Sequence, residues 1–246
     1  MASRLVDLCF AANDPLGLAR FWAAALRWEV ADEAGDGVGL VPTDGTGFGI
    51  RFQQVAEPRP VGQGRIHLDL TTTSVDDQTA TVRELIGLGG RHLDIGQGPE
   101  IDHVVLADPE GNELCVIEPD NSFLADCGRL GAISCDGTQA VGYFWSATLG
   151  WPLVWDQDEE TAIRSPDGTG PFVTWGGPPL LPKPPKNRLH LDIAPVAPDD
   201  RQAEFDRMVA LGATRLDSGQ GEVDVDVDGV AMADPDGNEL CVLSPR

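Results

Sequence analysis

Arg65-Ile66-His67-Leu68-Asp69-Leu70 returns later in the chain as Arg188-Leu189-His190-Leu191-Asp192-Ile193. Asp108-Pro109-Glu110-Gly111-Asn112-Glu113-Leu114-Cys115-Val116 likewise returns as Asp234-Pro235-Asp236-Gly237-Asn238-Glu239-Leu240-Cys241-Val242. Working outward, Phe21-Trp22 and Leu26-Arg27-Trp28 recur as Phe144-Trp145 and Leu149-Gly150-Trp151. The offset is 123 from Phe21 to Phe144 and from Arg65 to Arg188, but 126 from Asp108 to Asp234, which places a three-residue insertion around Glu222 to Gly229. Similarity at a fixed spacing over most of a chain is the mark of a duplicated unit. The chain therefore divides into two homologous halves, 1–120 and 127–246, joined by a short segment.

Each half repeats one order of elements twice. Residues 4–11 are apolar enough for a buried strand, and Asn13-Asp14-Pro15 sets a capping side chain before a proline suited to a first helical turn. Leu18, Phe21, Trp22, Ala25 and Leu26 then fall on one helical stripe. Short strands follow near 28–33, 37–42 and 48–55, between Gly and Asp turn signals. After a link at 56–64 the order begins again, with a strand at 65–71, a helix over about 75–88 stopped by Gly89-Gly90, and strands near 91–95, 102–107 and 112–118. The second half has the same plan, with a proline-dense inner link at 177–185. The fold expected is α+β, built from four βαβββ modules.

Composition sets the outer bounds. With 17 Lys+Arg against 40 Asp+Glu, the 246-residue chain carries a formal charge of −23, which repels nucleic-acid backbones and anionic membranes. It has no run of about 18 apolar residues, and Arg4 and Asp7 interrupt the N-terminal stretch where a secretion signal needs an apolar core, so a cytoplasmic protein is expected. Five cysteines form no CxxC pair and read as reduced thiols. The Gly111-Asn112 and Gly237-Asn238 pairs read as tight turns, and Glu222, Asp224, Asp226 and Asp228, alternating with valines, as a solvated strand face.

Four βαβββ modules in two pairs, a strand beginning His-Leu-Asp and a final hairpin of the form Asp-Pro-acid-Gly-Asn resemble the vicinal oxygen chelate superfamily, and within it the glyoxalase-like, bleomycin-resistance-like members. The resemblance implies two tandem curved sheets with helices outside and a ligand cup in each. It implies a small-molecule ligand, and either a lyase or isomerase step that shifts a proton or plain sequestration of a drug or metabolite. Either a monomer or a homodimer is compatible with it, since duplication imitates the pairing of single-copy relatives.

Metal-dependent relatives place ligands on the first, fifth and eighth strands of a cup. Carried over residue by residue, these positions fall on Asp7, His67 and Cys115 in the first half, and on Leu130, His190 and Cys241 in the second. A set of Asp7, His67 and Cys115 with water would suit a divalent cation, though it is atypical. Strand parity puts His67, Asp69, Glu113 and Cys115 on one face, with His190, Asp192, Glu239 and Cys241 as the second set. These eight residues are the expected pocket. His67 is the expected base or ligand, with Glu113 its carboxylate partner, or else the nearby Asp69 holding the imidazole, as Glu239 or Asp192 would hold His190. Cys115 and Cys241 read as small buried thiols sooner than nucleophiles. Trp22 and Trp145 read as helix-to-sheet packing, and Trp155 and Trp175 as residues narrowing the second cup.

Overall fold

The computed structural model describes residues 2–31, 37–60, 62–98, 100–196, 201–216 and 229–244. The acidic run Glu222–Asp228 and most of the insertion lie outside the described residues. The first module comprises β1 (Ser3–Ala12), α1 (Pro15–Leu26), β2 (Glu29–Val30), β3 (Gly37–Val41) and β4 (Gly49–Gln54). The second comprises β5 (Ile66–Leu70), α2 (Val75–Gly87), β6 (Arg91–His92), β7 (Val104–Ala107) and β8 (Glu113–Val116). The third runs β9 (Leu130–Cys135), α3 (Gln139–Leu149), β10 (Leu153–Gln157), β11 (Glu160–Ile163) and β12 (Phe172–Trp175). The fourth runs β13 (Leu189–Pro195), α4 (Arg201–Ala210), β14 (Thr214–Arg215), β15 (Gly229–Ala233) and β16 (Glu239–Leu243).

The helix ends follow local chemistry. The Asp14 carboxylate accepts from Gly17 N at 3.0 Å, and Pro15 begins α1 where a missing N–H costs nothing. Ser74 accepts from Asp77 N at 3.0 Å to open α2. At its end, Gly89 has φ +100°, and Gly90 N returns to Leu85 O at 2.9 Å. A Cβ on Gly90 would stand 2.8 Å from that same carbonyl, so the two glycines stop the helix by shape as well as by hydrogen bonding.

Among the described residues, sixteen strands form two eight-stranded sheets. Sheet one has the order β14-β15-β16-β13-β1-β4-β3-β2, and sheet two the order β10-β11-β12-β9-β5-β8-β7-β6. Each sheet thus joins one module from each half: the first with the fourth, and the second with the third. Their centres are the antiparallel pairs β1 with β13 and β5 with β9. This corrects the expectation that each half closes its own cup. A repeat says which segments are equivalent, but not which copy pairs with which, so the sequence pattern fits both arrangements.

The helix-facing sides of both sheets share one apolar core that includes Phe10, Trp22, Leu68, Leu114, Ile133, Trp145, Ile193 and Val242. Smaller apolar clusters lie on the opposite faces: Val105, Cys115, Ile117, Leu124, Ala132 and Phe172 on sheet two, and Ala194, Cys241 and Leu243 with Val6 on sheet one. Alternation along β5 is regular, with Ile66, Leu68 and Leu70 in the core and His67 and Asp69 opposite. On β1 it is broken. Leu5 and Leu8 both face the core, and the pairing register shifts between Leu5 and Asp7, the signature of a bulge.

The two Asp-Pro-acid-Gly-Asn hairpins tie modules together. Gly111 and Gly237 have φ of +94° and +82°, so both pairs are turns. Asp108, fully buried, accepts from Glu110 N and Asn112 N on one oxygen, and from Asn112 Nδ2 (2.8 Å) and Trp22 Nε1 (3.0 Å) on the other. Glu110 accepts from Asn13 N and Asp14 N just before α1, while Asp236 accepts from Thr138 N and Oγ1 just before α3. Carboxylates at these positions suit the positive ends of the two helices.

Candidate functional site

Register places the functional positions. Across the centre of sheet one Cys9 faces His190 and Asp7 faces Asp192; across sheet two Ser134 faces His67 and Ala132 faces Asp69. The counterpart of Asp7 is therefore Ala132, an offset of 125, and not Leu130, which is buried in the helix-side core. From this shared position to the matched Phe21 and Phe144 the first module runs 14 residues and the third 12, so counting back from the helix misplaces the strand.

Ligand-capable atoms of His67, Asp69 and Cys115 lie within 4.8 Å of one another on sheet two, and those of Cys9, His190 and Asp192 do so on sheet one. The expected set of Asp7, His67 and Cys115 is thereby corrected: His67 and Cys115 meet, but Asp7 belongs to the other sheet, and Asp69 takes its place. The pairing of His67 with Glu113 is corrected too. Both oxygens of Glu113 accept from Gly64 N at 3.1 Å, and Oε1 accepts from Arg59 Nη2 at 2.8 Å, which turns the carboxylate toward the 55–65 link. Glu239 is held in the same way by Lys183 Nζ (2.7 Å) and Asn187 N (3.3 Å). Arg59 and Lys183 read only as link residues in the sequence, and nothing in the strand pattern assigns them these carboxylates.

On sheet two, His67 Nε2 lies 3.4 Å from Asp69 Oδ1. The other Asp69 oxygen accepts from Ser134 Oγ at 2.6 Å, and Ser134 Oγ accepts from Thr174 Oγ1 at 3.2 Å. Three strands thus deliver one polar row. Burial alone would lower the His67 pKa, but the Asp69 carboxylate and the Cys115 thiol outweigh it and push it up to about 10. Burial pushes the Cys115 thiol up, in keeping with a small neutral core group.

A cavity of about 720 Å³ opens over this row. Its floor includes Asp69, Ser134 and Thr174, and its aromatic wall Phe123, Trp155 and Phe172. Phe123 stacks on Phe172 at 4.8 Å and meets Trp155 edge-on at 6.0 Å, and the Arg164 guanidinium lies 4.9 Å from the Phe172 ring centre. Trp155 therefore narrows the cup of sheet two, because its module pairs with the second, whereas the Trp175 ring is buried in the helix-side core, which corrects the expectation for that residue. Phe123, in the segment joining the halves, carried no signal in the sequence.

Sheet one differs. Cys9, His190 and Asp192 are 2%, 6% and 5% exposed, with Cys241 and Val6 beside them on the same face. His190 Nε2 stands 3.1 Å from Asp192 Oδ1 outside hydrogen-bond geometry, and that buried oxygen has no hydrogen-bond partner. A buried carboxylate oxygen left without a donor, beside an imidazole nitrogen and a thiol, fits a divalent cation of the zinc type. His67, Asp69 and Cys115 offer the same three donor types, with Asp69 Oδ1 free of the serine contact.

The sequence matches the model of a glyoxalase-like domain twice, over residues 7–117 and 132–243. The chain belongs to the glyoxalase-like domain family. The two starting points, 7 and 132, carry the same offset of 125 that the strand register gives. Among solved structures, glyoxalase I from Zea mays superposes with a TM-score of 0.69 at 12% identity, covering 99% of this chain and 92% of that one. A Bacillus subtilis protein described as a candidate dioxygenase superposes with a TM-score of 0.58 at 13% identity, covering 98% and 84%. At these identities the likeness carries the fold alone. No curated protein sequence matches the chain. Among the described residues no helix is long and apolar enough to cross a membrane.

Proposed function

We propose that this glyoxalase-like protein binds a small organic molecule with a flat apolar body in the sheet-two cleft and shifts a proton beside a carbonyl group of that molecule. The reading is carried by one observation: an aromatic wall faces a polar row, Thr174–Ser134–Asp69, with His67 next to Asp69, across a cavity of about 720 Å³, within the size range of small-molecule sites. Phe123 and Trp155 would hold the apolar body, and the row would receive the polar end. Ser134 orients the Asp69 carboxylate, and His67 stands beside that carboxylate to donate to an oxygen that gains charge. A divalent cation held by His67, Asp69 and Cys115 would supply Lewis acidity to the same oxygen.

The test begins with a thermal-shift screen of aromatic and aliphatic carbonyl compounds, followed by calorimetry on the hits. Trp155→Ala is expected to weaken binding about tenfold or more, as loss of a buried aromatic contact does. Asp69→Asn is expected to leave binding largely intact and to abolish solvent-deuterium uptake at the carbon next to the carbonyl, followed by NMR in D2O. Hits indifferent to Trp155→Ala would reject the site. Tight binding without deuterium uptake in the wild-type protein would reject the proton shift in favour of sequestration.

A further inference from the structure

A second cavity, of about 460 Å³, lies where the two inner links meet, between the starts of β5 and β13. Its wall includes Arg59, Arg65, Lys183, Lys186 and Arg188, five of the chain's 17 basic residues, and both of its lysines. In a chain of formal charge −23 this is a local concentration of cations. Glu113 is the one acidic residue of the wall. The carboxylates that hold three of the other cations, Asp136 on Arg65 (3.4 Å), Glu239 on Lys183 (2.7 Å) and Glu110 on Arg188 (2.6 Å), are not among the lining residues, so they brace those cations from behind.

Donors remain. Lys183 Nζ gives hydrogen bonds to Glu239 and Pro184 O, two of its three. Arg188 Nη1 and Nη2 are engaged by Glu57 O, Asn13 and Glu110, while its Nε–H is buried with no acceptor, on a side chain nine-tenths buried. Apart from the amides Gln63, Asn112 and Asn187, the rest of the wall is glycines, prolines and aliphatics, including Pro60, Ile66, Pro182 and Leu189, and no aromatic residue is among the lining groups. Cations around an aliphatic pocket select a ligand with one anionic end and a saturated body.

We propose that this inter-link cavity is a binding site for a small aliphatic carboxylate, distinct from the sheet-two cleft. The chain lends itself to a direct test, because reductive methylation with labelled formaldehyde reports on Lys183, Lys186 and the terminal amine alone while keeping their charge. Titration of the full-length protein with octanoate is expected to shift both lysine methyl signals saturably. Octanol and matched sodium chloride are expected to leave them in place. By calorimetry on unmodified protein, Lys183→Gln and, separately, Lys186→Gln are each expected to weaken octanoate about tenfold, as loss of a charge-assisted contact does. Trp155→Ala is expected to leave the affinity unchanged. Shifts that never saturate, shifts reproduced by octanol or by salt, or an affinity indifferent to both lysine variants would overturn the proposal.

Discussion

Asp108 shows how much one side chain carries. Its two oxygens take four donors: two backbone amides of its own turn, the Asn112 amide and the Trp22 indole of another module. Burial pushes its pKa up and these donors oppose the push. Trp22→Phe keeps most of the apolar volume and removes one donor, for an expected loss of about 1–3 kcal/mol. Asp108→Ala strands all four donors in the core and is expected to cost more than that. Urea unfolding of the two variants checks both, and a Trp22→Phe protein as stable as wild type would remove the hydrogen bond from the account. The tryptophan was legible in the sequence as an apolar stripe member, and the turn as a Gly-Asn pair. Their bond was not, because a stripe records which face is buried and not what the indole nitrogen meets there.

At the level of elements, α4 is moored to β1 by charge. Glu204 accepts from Ser3 Oγ and pairs with Arg207, whose guanidinium also reaches Ala147 O and Thr148 O at the end of α3. Burial would raise the Glu204 pKa, but Arg207 and Ser3 outweigh it and hold it below its ordinary 4.5. A depressed carboxylate pKa stabilises the fold above about pH 4.5, and that contribution is lost as pH falls through the folded-state value. Glu204→Gln is therefore expected to cost about 2 kcal/mol near neutrality. The gap from wild type should narrow as pH drops toward 3, as read from thermal unfolding across that range; a gap constant with pH would sink the assignment. Existence and order of the elements were readable because helical stripes, strand alternation and glycine stops are local. The bulge on β1 was not, since it is set by pairing with β13; β9 has a matching register shift between Leu130 and Ala132, so what moved the counterpart of Asp7 from Leu130 to Ala132 is the longer stretch between that position and the helix.

For the whole molecule, the decisive fact is that neither half completes a sheet. A fragment of residues 1–120 loses the β1–β13 and β5–β9 pairings at once and is left with two open strand edges. It is expected to be dimeric or aggregated when alone, and to form a one-to-one complex when co-expressed with residues 121–246. Size-exclusion chromatography with light scattering decides, and a folded monomeric 1–120 fragment would contradict the topology. The candidate site was half legible for the same reason. His67, Asp69 and Cys115 are close along their own module, whereas Ser134, Thr174, Trp155 and Phe172 arrive from a module that the repeat alone could not pair with it.

Crossed pairing within one covalent chain has a further effect. Two identical copies joined by a twofold axis must carry the same residues at both centres, and any substitution would alter both together. Here Cys9 stands opposite one imidazole and Ser134 opposite the other, with Asp7 and Ala132 as their neighbours. Once fused, the centres could diverge separately: one is sealed around a thiol, imidazole and carboxylate, and the other stays open beneath its aromatic wall. Mutational scans should thus find sheet-one changes felt first in stability and sheet-two changes felt first in ligand recognition.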